Sequence, residues 1–541
     1  MATITETIDA PGDRTTPYVL GPDDVFLGTL SRSAVDWVAV TLVAGHSYSF
    51  GAVGVGAAGS GVTDPLLRLY GADGAVLALD DDGGPGFGAA LQFTATTSGV
   101  HYIEVKSIAG ATEGAYGLAM AKGSWLSYGA DLGAAILYRD GSSWADAAQT
   151  GVSLSWGLRS AGPALDASGN PAPFQMLTTA QTAAAMTAMA NFADVAQITF
   201  VRADAAQGGA QLLLGGYTSA TDGAGAHANL PGDTADAGDI WINIHHVSGT
   251  SLPTGSYGYF IFLHELGHAL GLDHPGDYNA APGGMITYAD AAQFMQDSQQ
   301  FTVMSYFAAT VTEASAPPTY PDTLMMYDIL AIQALYGVNL AMRSGDDTYG
   351  FGSDLGGAYD FTVNRDPLLC IWDGGGIDTL NLSRFDAAQR IDLRTGAFSD
   401  VGGFRGNLSI APGVVIEHAL GGRGGDSLTG NAAANGLRGG RGQDTLSGGS
   451  GRDRLTGDAG ADHFVFGVGG GRDRVLDFTP GQDFVTLSAD LWGGVSLTPD
   501  QVIQTYARLH GGHVVLTFGE DRLTLLGATS RADLDGHILL T

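Results

Sequence analysis

The sequence predicts a multidomain protein with an N-terminal β-sandwich, a central α+β domain and a C-terminal parallel β-roll. Three observations support this architecture: short alternating strands up to residue 121, helical segments mixed with strands from 122 to 340, and a glycine-rich nine-residue repeat after 341. A chain of 541 residues is also too long for one ordinary core. We therefore predict domains at 1–121, 122–340 and 341–541.

The first domain contains short segments in which apolar and polar residues alternate between Gly/Asp turns, at 36–42, 47–53, 66–71 and 101–107. This spacing is typical of a small β-sandwich. With Asp36-Trp37, the DPLLRLYGADG stretch and the DDDGG loop in that order, the segment resembles the bacterial pre-peptidase C-terminal domain. The Asp80–Asp82 run is a candidate calcium loop, although a solvated turn is the commoner fate of a bare acidic run.

The central domain is predicted to contain both α-helices and β-strands. The run 178–195 opens with Thr and is rich in helix formers, so it predicts a long helix. Strands are predicted at 198–203, 210–217 and 240–246. A second helix is predicted over 259–271, and because it is apolar on most sides we expect it to be buried.

The C-terminal domain repeats GGxGxDxUx-like nonapeptides in phase from 421 to 465. The sixth position reads Asp426, Asn435, Asp444, Asp453 and Asp462, and the eighth reads Leu428, Leu437, Leu446, Leu455 and Phe464. This pattern predicts a parallel β-roll in which glycines make tight turns and the apolar residue packs the core. Oxygen-only ligands suit calcium. The alternative, a Gly/Asp-rich linker, would make the apolar period accidental.

Composition excludes several classes of partner. With 56 Asp+Glu against 24 Lys+Arg, the formal net charge is -32, which repels nucleic acids and anionic membranes but suits cations. No window approaches the roughly 20 apolar residues of a membrane span. Cys370 is the only cysteine, so no internal disulfide is possible. The first residues lack a Sec signal pattern, so we expect any export to use a route that does not read the N-terminus.

A metal-binding motif, HELGHALGLDH, runs from His264 to His274. On a helix, His264 and His268 share one face and can bind one metal, while Glu265 can reach a metal-bound water without being a ligand. Gly271 can end the helix in a left-handed conformation and return His274 as the third ligand. Three imidazoles leave one tetrahedral position open, which is the catalytic arrangement of zinc.

Sequence motifs that follow the histidine motif make the resemblance to one family specific. HELGHALGLDHPGDYNA, TVMSYF, YDILAIQALYGVN, RSGDDTYGF and IWDGGGIDTLNLS occur in the order found in serralysin-type metzincin proteases, which the chain resembles over about 125–541. The resemblance implies a metzincin catalytic domain holding one catalytic zinc, with Met304 as the floor beneath the metal. It also implies that the Tyr306 phenol ligates zinc at rest and stabilises the oxyanion during catalysis, and that His227–Asn229 is the edge strand that binds substrate.

The resemblance further implies several structural calcium ions. One site would use Arg343, Gly345, Asp373 and Asp378, with Glu417 serving a further one. Within the roll, the implied sets are Gly422, Gly424 and Asp426 with Gly439, Arg441 and Asp444; Asn431, Ala433 and Asn435 with Gly448, Ser450 and Asp453; and Gly440, Gly442 and Asp444 with Gly457, Ala459 and Asp462. Asn431 and Asn435 depart from the repeat consensus.

Together these patterns predict a secreted, extracellular zinc metalloendopeptidase that cleaves proteins or peptides, with Glu265 as general base. The terminal DLDGHILLT resembles the uncleaved signal read by type I secretion machinery, and a proteinaceous inhibitor is a further candidate partner. The competing hypothesis is a calcium-stabilised adhesion protein with a spent protease domain, which the intact Glu265 disfavours. A third is that the sandwich is the functional binder and the protease only matures the protein.

Overall fold

The computed structural model describes residues 2–541 except 32–33, 56–60, 63, 87, 109–112, 124, 146–150, 163, 204–208, 280–285, 313 and 316–318. The chain divides into two units by its internal contacts. The first comprises the described residues up to 312 together with 323–339, and the second comprises those of 313–322 and 340–541. The first unit contains both the sandwich and the part of the chain that carries the histidine motif.

The sandwich consists of two five-stranded sheets, ordered β1-β3-β10-β5-β8 and β2-β4-β9-β6-β7. Its strands are β1 Thr3–Thr5, β2 Val19–Leu20, β3 Val25–Leu30, β4 Asp36–Leu42, β5 Ser47–Gly54, β6 Pro65–Tyr70, β7 Val76–Asp80, β8 Ala89–Thr94, β9 Gly99–Ser107 and β10 Gly114–Lys122. The four strands predicted from alternation are confirmed with shifts of at most two residues at either end. Val38, Val40 and Leu42 alternate inward and are fully buried.

The rest of the first unit is a mixed sheet with helices. Its helices are α1 Ala130–Leu137, α2 Thr179–Val195, α3 Tyr257–Ala269, α4 Tyr288–Ala291 and α5 Met326–Tyr336. Its strands are β11 Val152–Leu158, β12 Ala164–Leu165, β13 Pro171–Ala172, β14 Phe174–Gln175, β15 Ile198–Arg202, β16 Leu212–Tyr217, β17 Ala226–Ala228 and β18 Ile240–Asn243. The main sheet has the order β15-β11-β16-β18-β17, so β17 is an edge strand.

Helix boundaries follow from capping. The predicted helix at 178–195 is confirmed as α2, and Thr178 and Gln181 form a capping box at its start. The helix predicted over 259–271 instead spans Tyr257–Ala269, because the Ser256 side chain accepts a hydrogen bond from the Tyr259 N–H and starts the helix earlier. The strand predicted over 240–246 ends at Asn243, since the next residues turn back onto the Asn243 carbonyl.

The second unit is built mainly from parallel strands stacked into two long sheets, with α6 Pro499–Tyr506 near its C-terminal end. Its strands are β19 Thr348–Gly350, β20 Leu369–Ile371, β21 Thr379–Asn381, β22 Arg390–Asp392, β23 Phe398–Ser399, β24 Leu408–Ile410, β25 His418–Leu420, β26 Ser427–Thr429, β27 Gly436–Arg441, β28 Thr445–Ser447, β29 Arg454–Ala459, β30 His463–Phe466, β31 Arg472–Val475, β32 Phe484–Leu487, β33 Ala507–His510, β34 His513–Phe518, β35 Asp521–Leu525 and β36 Ile538–Leu540.

Successive nonapeptides alternate between the two long sheets. Leu428 pairs with Leu446 in one sheet and Leu437 with Leu455 in the other, so two repeats make one turn of the roll. All five eighth-position side chains are at most 1% exposed, as the repeat pattern predicts. In the described part of the chain, no helix combines the length and apolar character needed to cross a bilayer.

Candidate metal centre and active-site cleft

The histidine motif lies on α3, which is buried along almost its whole length. His264 and His268 are one turn apart, and their ring centroids are 4.8 Å apart. The backbone then leaves the helix at Gly271, whose φ is +100°. A Cβ at this position would lie 2.1 Å from the Ser142 carbonyl oxygen, so the turn requires glycine for two reasons.

This turn returns His274 to the other two histidines. Nε2 of His274 lies 3.1 Å from Nε2 of His264 and 3.1 Å from Nε2 of His268. Four ligands bound tetrahedrally to zinc at about 2.0–2.1 Å are separated by roughly 3.3 Å. The three nitrogens therefore have the spacing of three ligands of one zinc ion.

Backbone carbonyls fix the orientation of two of these rings. The Val303 carbonyl oxygen lies 2.8 Å from Nδ1 of His264, and the Leu272 carbonyl lies 2.7 Å from Nδ1 of His268. Because a carbonyl only accepts hydrogen bonds, each Nδ1 carries the proton and each Nε2 lone pair faces the common centre. Lone pairs that converge in this way repel one another unless a cation lies between them, so the donor set fits zinc.

Burial also keeps the imidazoles neutral, as metal binding requires. It lowers the pKa of His264 to about 4 and that of His268 to about 3. The pKa of His274 is well below its ordinary value, first because the ring is buried and then because the other two imidazoles are close.

Glu265 is beside the histidines and is 4% exposed. Its Oε2 is buried and has no hydrogen-bond partner among the described residues. Burial raises the pKa of this carboxyl to about 8. A buried carboxylate oxygen that lines the same cleft as the three histidines can accept a proton from a reacting water.

Met304 lies beneath the zinc helix and is fully buried. Its Sδ is 2.5 Å from where a Cβ on Gly267 would lie, so the absence of a side chain at Gly267 lets the methionine pack against the helix. Asp328 holds the segment before Met304 by accepting hydrogen bonds from the Val303 N–H (2.8 Å) and the Thr302 hydroxyl (2.6 Å). The Met304 turn thus also fixes the carbonyl that orients His264.

Two tyrosines contact the third histidine. The Tyr306 ring centroid lies 4.6 Å from that of His274, which brings this predicted residue to the centre. Tyr278 stacks on His274 at 5.4 Å with an interplanar angle of 19°, and its hydroxyl donates to Asp297. The sequence reasoning missed Tyr278, although the HPGDYNA segment contained the signal.

The cleft around these residues has a volume of about 600 Å³. One wall is the edge strand β17, which pairs antiparallel with β18 on one side only. His227, predicted as part of this strand, lines the cleft, and its buried Nδ1 has no hydrogen-bond partner among the described residues. An open strand edge beside a metal centre can bind an extended peptide by β-augmentation.

Arg139 and Asp277 are further cleft residues that the sequence reasoning missed. Arg139 donates from Nη1 to the His274 carbonyl at 2.7 Å and to the Ile136 carbonyl at 2.8 Å. Its Nη2 lies 3.7 Å from Asp277 Oδ1, which also accepts a hydrogen bond from the Gly86 N–H of the sandwich. The sandwich therefore contacts the rim of the cleft directly.

In the second unit, the residues predicted for the first calcium site lie together. Oxygens of Asp373, Asp378 and Asp347 lie within 4.8 Å of one another, and Asp347 was missed by the sequence reasoning. Buried oxygens of Asp378 and Asp347 have no hydrogen-bond partner among the described residues. The Gly374 N–H donates to the Arg343 carbonyl at 3.2 Å. A Cβ on Gly376 would lie 2.0 Å from the Gly345 carbonyl oxygen, which places that carbonyl beside the same loop.

Glu417 and Asn435 connect this loop to the roll. Glu417 accepts from the Asp378 N–H at 2.8 Å, and its own carbonyl accepts from the Asn435 amide. Asn431 donates to the Leu393 and Ile416 carbonyls. Asn435 thus uses an amide donor where the consensus Asp would have none. Asn431 stands where the consensus has glycine, and its side chain adds hydrogen bonds to two backbone carbonyls.

The sixth-position carboxylates form two rows. Asp444 accepts from the Asp426 N–H and Asp462 from the Asp444 N–H, at 2.7 and 2.9 Å. In the other row, Asp453 accepts from the Asn435 N–H at 2.8 Å. Asp473 and Asp483 continue the rows beyond the recognised repeats. Buried oxygens of Asp444 and Asp453 have no hydrogen-bond partner among the described residues.

The remaining predicted calcium residues precede these carboxylates in the sequence, in turns and at the ends of β27 and β29. Successive turns of the roll approach each other closely there: a Cβ on Gly440 would lie 2.4 Å from the Gly422 oxygen, and one on Gly442 would lie 2.1 Å from the Gly424 oxygen. The structure places in these segments Gly422, Gly424, Asn431, Ala433, Gly439, Gly440, Arg441, Gly442, Gly448, Ser450, Gly457 and Ala459. The three predicted sets therefore combine residues of adjacent turns.

Comparisons with known proteins identify the family of this chain. The family model described as Peptidase M10 serralysin C terminal matches residues 338–520. The chain is 44% identical over 420 residues to metalloprotease AprA of Pseudomonas entomophila, covering 75% of this chain and 85% of that protein. It is 43% identical over 427 residues to metallopeptidase AprA of Pseudomonas marginalis (76% and 87% covered) and 41% identical over 258 residues to serralysin B of Dickeya chrysanthemi (46% and 53% covered).

Identity above 40% over three quarters of the chain, together with the family model over the roll, establishes the relationship. The chain belongs to the serralysin family of metzincin metalloproteases and is a metalloendopeptidase.

Proposed function

We propose that the protein is a secreted zinc endopeptidase in which His264, His268 and His274 hold the metal and Glu265 is the general base. The observation that carries the proposal is the convergence of three neutral Nε2 atoms at 3.1 Å beside a buried carboxylate that has an unpaired oxygen. When bound there, zinc supplies Lewis-acid polarisation of the scissile carbonyl and lowers the pKa of water at its open position.

The chain's own residues supply the proton transfers. Glu265 takes a proton from the attacking water and passes it to the leaving amine, because its free oxygen lies in the cleft and no hydrogen bond restrains it. The Tyr306 phenol, beside His274, would donate to the tetrahedral oxyanion and would be a further ligand of zinc at rest. The backbone of His227–Asn229 pairs with an extended substrate.

Calcium stabilises the second unit in this proposal. The support is the set of buried carboxylate oxygens without hydrogen-bond partners among the described residues, at Asp347, Asp378, Asp444 and Asp453. None of the described ion pairs includes these four residues. Oxygen-only donor sets favour calcium over zinc. We further propose domain limits at 1–121, 122–340 and 341–541, and export by type I secretion machinery to an extracellular location.

The test is Glu265→Gln in the full chain. Hydrolysis of a peptide library, sequenced after incubation with and without a zinc chelator, should fall by on the order of 10² to 10⁴ in rate while zinc content stays at wild-type level. Glu520→Gln, at an exposed position, is the matched control and should leave the rate unchanged. Activity of Glu265→Gln within tenfold of wild type would remove Glu265 from the mechanism.

A further inference from the structure

One of the two long sheets of the roll carries four arginines on its outer face. Arg454 on β29 is paired with Arg474 on β31, and Arg472 on β31 is paired with Arg522 on β35. Leu455, the next residue after Arg454, is buried in the core, so the arginines point away from it. Three of them are exposed and Arg522 is half-buried. We call these four residues the arginine ladder.

The members of the ladder lie close together and have no charged partner. Neighbouring strands are about 4.8 Å apart, and residues two apart on one strand are separated by about 6.6 Å. Like charges directly opposite each other destabilise a sheet. None of the described ion pairs includes a ladder residue. The buried Nε of Arg522 also has no hydrogen-bond partner among the described residues.

Two acids on the strands of the ladder lie outside the core, and each has another partner. Asp458 on β29 accepts hydrogen bonds from Nε and Nη2 of Arg438, which does not belong to the ladder. Asp521 on β35 accepts hydrogen bonds from the N–H groups of Gly469 at 3.0 Å and Gly471 at 2.9 Å. These contacts hold both carboxylates, so neither acid forms an ion pair with the ladder.

The roll itself does not require charge at such positions. In the other long sheet, the outward-facing pairs of β26 and β28 are Ser427 with Thr445 and Thr429 with Ser447. These side chains are partly or fully exposed and carry no charge. In a chain of formal net charge -32, the ladder holds four of only 24 Lys and Arg residues. It is therefore a local reversal of sign that folding of the roll does not explain.

We propose that the arginine ladder binds a linear anionic polysaccharide that carries one carboxylate on each sugar. A guanidinium matches a carboxylate with two parallel hydrogen bonds, which gives both affinity and orientation. The spacing of about 4.8 Å between strands is close to the length of one sugar residue. Successive carboxylates can therefore meet arginines on successive strands, from β29 through β31 to β35.

The charge of the whole chain favours a thin polymer over a large anionic surface. A net charge of -32 repels duplex nucleic acid and anionic membranes, which bring many fixed charges close to the protein at once. Salt limits the field of the ladder to about 8 Å at physiological ionic strength. A single flexible chain can lie within that distance of the ladder while its remaining sugars stay in solvent. Such binding would hold the enzyme on a polysaccharide matrix independently of proteolysis.

The test measures fluorescence anisotropy of a labelled short oligogalacturonate titrated with the full chain, carrying Glu265→Gln to prevent self-digestion, at excess calcium. We expect saturable binding that weakens as NaCl is added, because exposed ion pairs are screened. The double variant Arg454→Gln/Arg474→Gln should raise Kd by about tenfold or more. Arg390→Gln/Arg423→Gln is the matched control, since it removes two exposed guanidinium groups elsewhere in the second unit, and it should leave Kd unchanged.

Thermal unfolding of the ladder variant gives a second measurement. Its unfolding temperature should equal or exceed that of the unsubstituted ladder, because the variant removes a like-charge pair. A lower temperature would show that the arginines stabilise the roll, which contradicts the proposal. The proposal also fails if no binding is seen, if the ladder variant binds equally well, or if the control variant loses as much affinity. Equally tight binding of neutral dextran, duplex DNA or phosphatidylserine vesicles would overturn the assignment to an anionic polysaccharide.

Discussion

The backbone N–H of Gly86 donates a hydrogen bond of 3.0 Å to Oδ1 of Asp277. Gly86 belongs to the sandwich, and Asp277 follows the third histidine by three residues. Gly86 has a φ of +61°, and a Cβ there would lie 2.6 Å from Nε of Arg139, whose guanidinium holds the His274 carbonyl. A change in the sandwich therefore reaches His274, a proposed zinc ligand, through one side chain.

We expect Gly86→Ala to lower the stability of the first unit and to speed loss of zinc to a chelator. The overpacking should destabilise by about 1–3 kcal/mol beyond the backbone strain of alanine at positive φ. Gly45→Ala is the matched control, since Gly45 has a φ of +81° and no atom within 4 Å of the added Cβ. Thermal unfolding and zinc-release rates are measured for both variants. Equal values for Gly86→Ala and Gly45→Ala would show that the Arg139 side chain moves away from the added methyl group without cost.

Tyr306→Phe should lower kcat far more than it changes KM, because we propose that the phenol acts on the transition state. The loss of one oxyanion donor typically costs about 10²–10³ in kcat. Steady-state kinetics on one fluorogenic peptide separate the two constants, and Tyr320→Phe, at another partly exposed tyrosine of the chain, is the control. A rise in KM alone would assign Tyr306 to substrate binding.

Asp328→Ala should destabilise the first unit strongly. It leaves the N–H groups of Val303 and Met325 without their acceptor, at about 1–3 kcal/mol for each buried group. The same change frees the Val303 carbonyl that orients His264, so zinc affinity should fall by about 10–100-fold. Denaturant unfolding and zinc titration measure both effects. Asp236→Ala, at an exposed site, should change neither; wild-type zinc affinity in Asp328→Ala would contradict the link.

Asp444→Asn should raise the calcium concentration needed to fold the roll. Asp444 caps the Asp426 N–H and has a second, unpaired buried oxygen, so the amide removes a charge that calcium would neutralise. Circular dichroism of the full chain during calcium titration, again with Glu265→Gln, should show a midpoint shifted by about tenfold. Asp535→Asn, exposed near the end of the second unit, should not shift it; full β structure in chelator would refute the calcium requirement.

Asp322 should make the second unit less stable as pH rises. Burial raises its pKa to about 7 from the ordinary 3.8, so the folded state binds the proton more tightly than the unfolded state. Its stabilising contribution is therefore complete below about pH 4 and is lost as pH rises towards 7, by up to about 1.4 kcal/mol per pH unit. Asp322→Asn, which stays neutral, should flatten this slope at saturating calcium. Parallel unfolding curves for the two proteins from pH 4 to 7 would contradict it.

The grouping of His264, His268 and His274 could be predicted because their spacing is local. His264 and His268 share a helix face, and Gly271 supplies a turn that few other residues allow. The roll could be predicted for a similar reason, since its nine-residue repeat recurs in consecutive segments of the sequence. Helix α3 was predicted two residues too late, because its start depends on Ser256 rather than on apolar periodicity.

The residues that sequence reasoning missed act over long separations. Arg139 reaches His274 across 135 residues, and Gly86 reaches Asp277 across 191. Asp347 lies beside Asp373 and Asp378 only because two loops meet in the folded chain. Asp483 accepts a hydrogen bond from the Asp462 N–H as the sixth-position carboxylates do, although the nine-residue spacing is no longer kept there. Nothing in the local pattern marks these pairs, since only the folded backbone brings them together.

In the rows of carboxylates in the roll, each backbone N–H donates to a carboxylate that comes later in the sequence. Asp444 accepts a hydrogen bond from the Asp426 N–H, and Asp462 accepts one from the Asp444 N–H, in both cases from 18 residues further along the chain. Because each acceptor follows its donor in the sequence, the last turn of any shortened roll is one acceptor short. The roll can therefore close only from a point where a later carboxylate is present, and a truncation from the C-terminal side would leave the preceding turn without its acceptor.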